Sequence, residues 1–589
     1  MPGPLYLRRL CPRPATAGML LILTLAGTLR LWLIHTQWPA VNADESIIDL
    51  MARHILYQGE RPIFFWGQDY MGTLQAYLGA GLMHFFGSSI ASVRLGTLLL
   101  FLLYLSSMYT LVRLLYSPAF ALLCMALLSL GSDRMIGVLI TANGGYAETM
   151  LCGALIFLLV THLALTLPAE QARCALSRLL AYAALGFVVG LGLWSDQLIL
   201  AAVLTGGVFL LVCCRREMRG RVLCALLAGL LVGTIPLLLY NLQVPLPRNS
   251  LFVLLGTVFS SAPRIIPFAQ QLAEVLLISL PHATGLPFTA GGQPICGNVE
   301  PYTHALGTLA SLFPTAHNPW FCFSTRGGWS LGILLLWSGA LLTALGAVSR
   351  LRPGLRREAP DSPVLPEHAR QQRVRLYASL MLLSSAAIWL LLFACGQAAP
   401  TTPRGSSRYL ICLLLSLPAL LWPLWLSLRH PDERLKSGQR YVRTRFVVSA
   451  LALLSLACVY ATGTIELLAT LPANQEVYTR TNAVVQTLLR QGITRLYSDY
   501  DTCSVLIFRS DERVLCIVLD THLQAGNNRY APYTIPVSQT PHPAYLFPLA
   551  SPANQVLAHR LGRDTHYRHL VYAGYSIYYY IPPGTRAHG

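Results

Sequence analysis

The sequence predicts a polytopic α-helical membrane protein of about 11 spans with a small C-terminal α/β domain. Three observations predict it. Of 589 residues, 54% are hydrophobic and only 12% charged, and the mean hydropathy is +0.52, outside the range of a soluble globular chain. Apolar runs of about 20 residues, long enough to cross a hydrocarbon core as a helix, recur as far as residue 467. Beyond about residue 470 those runs stop, and short stretches of alternating polarity replace them.

The elements follow in order. The stretch "LYLRRLCPRPATAGMLLILTLAGTLRLWLIHTQW" has basic flanks but a long apolar run and no small-residue cleavage site, so it reads as an uncleaved first span over 16–37. Further spans are expected near 91–115, 118–141, 145–167, 178–195, 197–214, 221–242, 328–349, 375–396, 407–428 and 446–467. The segment 71–87, "MGTLQAYLGAGLMHFFG", is short and broken by glycines.

Charge decides whether 71–87 crosses. With the arginine-bearing N-terminus inside and 71–87 outside as an interfacial or re-entrant helix, "LVRLLYSP", "AEQARCALSR", "CCRREMRGR", "SRLRPGLRREAPDSPVLPEHARQQRVR" and "RHPDERLKSGQRYVRTR" all face the cytoplasm. If 71–87 spanned, these loops would all be flipped outward. The net charge of +18 is thereby explained by positive-inside sorting, and nucleic acid is excluded as a partner. The expected organisation is a membrane region over 1–470, with outer loops at 38–90 and 243–326, and an extracytoplasmic α/β domain over 471–589.

In that last region "ANQEVYTRTNAVVQTLLRQGI" has helical periodicity, "TRLYSD" and "RVLCIVL" read as strands, and "PAYLF", "NQVLAHRLG" and "YSIYYYIP" continue an alternating pattern. It contains no GxGxxG and no P-loop, so no nucleotide cofactor is assigned to it. None of the 14 cysteines follows metal-ligand spacing. Cys296 with Cys322 and Cys503 with Cys516 fall in extracytoplasmic regions, where disulfides can form.

The same topology gathers acids at one face: Asp44 and Glu45 in "WPAVNADESIIDLMARHIL", Asp69 in "GQDYMG", Glu148 in "NGGYAE" and Asp196 in "LGLWSDQLIL". Ionisable groups near a bilayer are costly unless used. In "ESIIDLMARHIL" Ile47, Ile48, Met51 and Ile55 recur at helical spacing, so a helix starts here; as a cap, Asp44 needs no further role. Glu148 follows Gly144 and Gly145, which allow close backbone approach by a substrate, and Tyr146. Asp196 stands between two apolar runs with almost no loop around it. Asp69, flanked by Gln68 and Tyr70, sits in a glycine-bounded loop of the kind that commonly carries an exposed acid.

An acidic pair in the first outer loop, an interfacial segment after it, a further acid at the outer start of a later span and an outer C-terminal domain together resemble the GT-C superfamily of membrane glycosyltransferases. The stretches "GERPIFFWGQDYMGTLQAYLGAGLMHFFGSSIASVRL", "NGGYAETMLCGALIFLLV" and "GLGLWSDQLIL" are similar to bacterial members grouped with glycosyltransferase family 39 and the Rgt-like transferases. Protein O-mannosyltransferases and the lipid A aminoarabinose transferase are more distant relatives. The resemblance covers roughly residues 16–430.

It implies a plasma-membrane enzyme that moves a hexosyl or pentosyl group from a polyprenyl-phosphate donor to a glycan, lipid or protein acceptor on the outer face, with inversion. Such a reaction needs a base for the acceptor proton and cations for the leaving phosphate. By position Asp44 matches the family's first catalytic acid, Glu45 orients it or the acceptor, and Glu148 matches the second acid, which in some relatives helps to bind a divalent metal. Lys436 is the only lysine and falls on the cytoplasmic side, which leaves phosphate binding to Arg326, Arg404 and Arg408, with His54 a weaker candidate. Gln68, Asp69, Tyr70, Tyr146 and Asp196 are expected to line the substrate site. The chain departs from several relatives in having "NGGYAE" where they carry Arg-x-Asp, and "GQDYMG" where they carry Pro-Pro, so a divalent metal stays an open point. A flippase or exporter of lipid-linked saccharides, or a non-catalytic scaffold, is the alternative. Acids at one membrane face, not the midplane, speak against the exporter.

Overall fold

The computed structural model describes residues 14–167, 175–258, 266–290, 293–296, 318–358, 367–396, 402–429, 440–561 and 566–581. Lys436 lies outside them. Among the described residues nine helices are long and apolar enough to cross a membrane, or ten when Arg221–Gly233 and Ile235–Gln243, bent by 59°, count as one. Pro236, at the start of the second piece, removes a backbone donor at that bend. Large apolar side chains such as Leu335, Leu342, Leu391 and Leu454 stay exposed, as lipid-facing positions must. The chain is a multi-pass membrane protein.

Ten expected spans are present; the eleventh, 118–141, is not one helix. Pro118–Ser129 has 12 residues, about 18 Å of helix against a core of about 30 Å. It ends because the chain turns through Gly131 at φ 148° and restarts as Asp133–Val138 after Ser132. Side chains satisfy the backbone freed by this break. Arg30, stacked over Phe101 at 3.6 Å, donates to the Ser129 carbonyl at 3.1 Å, while Thr464 accepts from the Gly131 N–H and donates to its carbonyl, both at 3.1 Å.

The chain divides into two compact units. The first takes in Met1–Arg30, Leu98–Ile140 and Tyr146–Thr470. Within it Leu176–Ser195 and Arg221–Gly233 pack backbone to backbone: a Cβ on Gly186 would meet the Leu226 carbonyl at 2.0 Å and one on Gly229 the Ala183 carbonyl at 1.9 Å. The stretch expected as a long outer loop is partly helical. Phe268–Glu274 continues through a π-helical turn, Val275–Ser279, into Leu280–Ala283, and a disulfide joins Cys296 to Cys322.

The second unit takes in Leu31–Thr97, Thr141–Gly145 and Leu471–Gly589. Its sheet comprises β1 (Arg495–Ser498), β2 (Leu515–Val518), β3 (Ala544–Pro548), β4 (Tyr567–Tyr572) and β5 (Tyr575–Tyr580), in the order β2–β1–β3–β5–β4. The first three strands are parallel and the last two antiparallel. Leu471–Arg490 is the expected helix. One expectation fails: of "NQVLAHRLG", residues 554–561 lie in the helix Pro552–Leu561, and its last residue is outside the described residues; β4 has no counterpart among the expected strands. Ala553, Asn554 and Leu557 recur at helical spacing and are the side chains that helix buries. Between β1 and β2 the helix Tyr500–Arg509, capped by Asp499, makes a crossover held by the disulfide Cys503–Cys516. One core runs through this unit, from Ile47, Ile48 and Met51 to Val485, Leu506 and Leu546.

Candidate active site

In the first unit, charged side chains from separated stretches meet. The break at Gly131 places Asp133 in the first turn of a short helix, where the N-terminal dipole favours its charge. His282 lies beyond the π-helical turn, with Nε2 3.7 Å from an Asp133 oxygen and Nδ1 3.1 Å from the Ser407 hydroxyl. Ser407 donates to the Arg404 carbonyl at 2.7 Å, and Arg134 donates to the same carbonyl at 3.0 Å. Two cations share one ring: the Arg326 guanidinium lies 3.8 Å and that of Arg404 5.6 Å from the Phe288 centroid. Arg408 lies 5.8 Å from the Tyr146 ring and 5.6 Å from that of Tyr409.

Arg134 lies in the fields of Arg404 and Arg408, and burial together with those like charges brings it down to about 10. Burial alone would raise the Asp133 carboxyl, but contact with His282 and the guanidiniums of Arg134 and Arg404 hold it below the usual carboxylate range. Burial, then the Arg134 charge, lowers His282 to about 4, so at neutral pH Asp133 is the anion and His282 is neutral. Asp196 caps the turn Gln197–Ile199, accepting from the Leu198 N–H at 2.8 Å. Burial pushes its carboxyl up to about 6, against the pull of that bond and of Arg408. Glu148 sits in the first turn of Tyr146–Leu165 and is only 1% exposed. An apolar cavity of about 250 Å³ is lined by Leu280 and Thr284, the neighbours of His282, and by Leu390, Leu413 and Leu417.

Of the expected residues, Tyr146, Asp196, Arg326, Arg404 and Arg408 belong to this arrangement. Asp133, Arg134 and His282 were missed. The signal for the first two was present in "GSDRM", an acid and a base inside an apolar run, which is costly unless used. His282 had no comparable mark.

The second unit holds the other candidates. The helix Ala43–Tyr57 is capped by Asn42, whose side chain accepts from the Glu45 N–H at 2.9 Å, so the cap is neither acid. Half-buried Asp44 accepts from the Tyr500 hydroxyl at 2.8 Å, and Arg529 donates to that hydroxyl at 2.9 Å. Gln68, with its amide oxygen toward Arg529, accepts from both terminal nitrogens at 3.1 and 3.2 Å. Asp69 and Tyr70 lie in the same turn, closed by the Phe65 N–H donating to the Met71 carbonyl at 2.9 Å.

Glu45 is committed elsewhere. Its carboxylate accepts from Arg94 at 2.7 and 2.6 Å, and Arg94 also donates to the carbonyls of Trp38 at 2.9 Å and Pro39 at 2.8 Å. Side-chain exposure is 0% for Glu45 and 1% for Arg94, so this pair fixes the start of the helix. One turn on, Asp49 is buried, and burial followed by the Glu45 charge raises its carboxyl well above the usual range.

His54 is a correction. Its Nδ1 lies 3.1 Å from Glu60, and its Nε2 3.0 Å from Glu512 and 3.1 Å from the Tyr533 hydroxyl. Both ring nitrogens face carboxylates, which leaves none for a phosphate. The glycines of "NGGY" are a second correction. Gly144 and Gly145 adopt φ 89° and 51°, and a Cβ on Gly144 would stand 2.2 Å from the Met71 sulfur, so backbone conformation and the Met71 side chain account for the first of them without a substrate. Among the described residues no three His, Cys, Asp or Glu side chains are grouped to hold a metal ion.

No family model matches the chain, and no curated protein sequence matches it. Solved structures match in fold. ArnT from Cupriavidus metallidurans bound to undecaprenyl phosphate aligns over 96% of this chain and 98% of its own, at 12% identity and a TM-score of 0.55. The apo state of ArnT from the same organism gives 0.51 at the same identity and coverage. The chain has the fold of the GT-C membrane glycosyltransferases, as its sequence resemblance implies.

Proposed function

We propose that the chain is an integral-membrane inverting glycosyltransferase that moves a sugar from a polyprenyl-phosphate donor to an acceptor on the outer face of the plasma membrane. The observation that carries this reading is the arginine group Arg134, Arg326, Arg404 and Arg408 together with an apolar cavity lined by Leu280 and Thr284, two residues to either side of His282 in the chain. A phosphate and a polyisoprenoid chain are the two parts of such a donor. The ligand of ArnT, undecaprenyl phosphate, has the same two parts.

In this reading the acceptor oxygen attacks the anomeric carbon, the bond from that carbon to the phosphate oxygen breaks, and the acceptor proton passes to a carboxylate. Asp44 is assigned that role: the Tyr500 hydroxyl orients it, and Arg529 in turn positions Tyr500. Arg404 and Arg408 take up the charge that develops on the leaving polyprenyl phosphate. Asp133 and neutral His282 position Arg404 through Ser407 and the Arg404 carbonyl.

The test is transfer by the purified chain in lipid, with a radiolabelled polyprenyl-phosphate sugar and envelope-extract acceptors. Arg408→Ala is expected to weaken donor binding, with partial recovery in Arg408→Lys. Asp44→Asn is expected to bind donor normally and to lose transfer by about 100-fold or more. Unchanged transfer by Asp44→Asn overturns the mechanism, and transport without covalent transfer replaces the reading with the exporter.

A further inference from the structure

The first unit contains a second group of arginines that the transfer reaction does not use. A cavity of about 410 Å³ is lined by Arg375, Arg429 and Arg445, with Tyr116, Ser379 and Trp422 among the remaining residues. Its polar side is built. Tyr116 stacks on Trp422 at 4.5 Å between centroids, and the Tyr116 and Ser379 hydroxyls pair at 2.8 Å. Its other side is aliphatic, where Ala340, Ala344 and Ala419 leave room beside Leu383. Among the described residues, none of Arg375, Arg429 and Arg445 is paired with a carboxylate, as Arg178 is with Glu217.

The position of this cavity separates it from the candidate active site. Arg375 precedes Cys395 by 20 residues on the single helix Glu367–Cys395, about 30 Å at the rise of an α-helix and close to the thickness of a hydrocarbon core. The far end of that helix is where Gln271 donates to the carbonyls of Ala394 and Gly396 at 2.8 and 2.7 Å, in the same helical run as His282. The two arginine groups therefore mark opposite ends of one bundle. Arg375, Arg429 and Arg445 stand at the end that the loop charges assign to the cytoplasm.

We propose that this cavity binds one anionic phospholipid, its phosphodiester on Arg375, Arg429 and Arg445 and the start of an acyl chain against Ala340, Ala344 and Leu383. Guanidiniums without carboxylate partners among the described residues are charge-assisted donors suited to a phosphate, and basic pockets between membrane helices on the cytoplasmic side are suited to lipid headgroups. The aliphatic wall selects a lipid over a free anion, since inorganic phosphate would leave that wall unfilled.

The experiment titrates the purified full chain in neutral detergent with phosphatidylglycerol, with phosphatidylcholine of the same acyl chains, and with inorganic phosphate, reading the apparent unfolding temperature. Phosphatidylglycerol is expected to raise it saturably while the other two leave it unchanged. In the variant Arg375→Gln/Arg429→Gln/Arg445→Gln the apparent affinity should fall by about tenfold or more, and Ala344→Phe, which keeps every charge and fills the cavity, should lose the same response. Arg113→Gln/Arg221→Gln, which removes two arginines outside the cavity, should respond as the unaltered chain does. If these variants do not fold, native mass spectrometry of the unaltered chain decides, with preferential retention of one phosphatidylglycerol expected. Equal stabilisation by phosphate, equal response to the two lipids, an unaltered response in both cavity variants, or equal retention of the two lipids overturns the proposal.

Discussion

Replacing Glu45 separates an architectural role from a chemical one. Its carboxylate and the Arg94 guanidinium are both buried and joined by two bonds, at 2.7 and 2.6 Å, and Arg94 additionally satisfies two loop carbonyls. Removing one partner of such a pair leaves an uncompensated buried charge and costs about 3–5 kcal/mol. Glu45→Gln keeps one acceptor oxygen and belongs at the lower end. Arg94→Met strands the Glu45 carboxylate together with the Trp38 and Pro39 carbonyls and belongs at the upper end. For a unit of this size each kcal/mol moves the midpoint by about 2–4 °C, so the apparent unfolding temperature should fall by roughly 6–20 °C. Glu45→Met/Arg94→Met should recover at least half of that loss, because an apolar pair of similar volume replaces a buried ion pair at little net cost. The assay is thermal unfolding in lipid nanodiscs with transfer measured on the same samples, and Asp44→Asn serves as the contrast, expected to unfold with the unaltered chain while losing transfer. If Glu45→Gln unfolds within about 1 °C of the unaltered chain while losing transfer, Glu45 acts chemically and the architectural assignment is wrong.

Two further outcomes follow from the second unit. Burial pulls His54 down, but its bonds to Glu512 and Glu60 outweigh that and raise its pKa, so its contribution to stability is complete below about pH 6.5 and lost as pH rises through the raised folded value. Unfolding temperature followed between about pH 6 and pH 9 should decline, and His54→Gln should flatten that decline; an unchanged slope would show that another group sets it. Gly144→Ala must accept φ 89° and displace a sulfur 2.2 Å away, at a cost of roughly 2–5 kcal/mol. Met71→Ala in the same chain should relieve the contact and leave the backbone strain, giving a partial rescue measurable by thermal unfolding.

Composition and run length were enough to read a multi-pass membrane protein with a small C-terminal α/β domain, because lipid demands about 20 apolar residues per crossing and that demand is visible in one dimension. Ten of the expected spans follow from it. The exception, 118–141, satisfies the hydropathy test and still breaks at Gly131, where Arg30 and Thr464 meet the backbone groups freed at Ser129 and Gly131; Thr464 is more than 300 residues away in sequence. The site divides in the same way. Tyr146, Asp196, Arg326, Arg404 and Arg408 lie at the ends of apolar runs, where a charge or a ring stands out, and so are candidates on sequence alone. What each acid does could not. Asp44 and Glu45 are adjacent in sequence, yet the periodicity of one helix sends Glu45 into a buried pair with Arg94 and leaves Asp44 half-exposed on Tyr500. Likewise His54 resembles a free cation until Glu60 and Glu512 close on its two nitrogens. The sequence by itself determined the class of molecule and which residue types could do chemistry, since burial in lipid leaves a local signature. Only the tertiary structure decided which charges are spent on one another and which stay available, because pairing is a contact between distant residues and no local pattern encodes it.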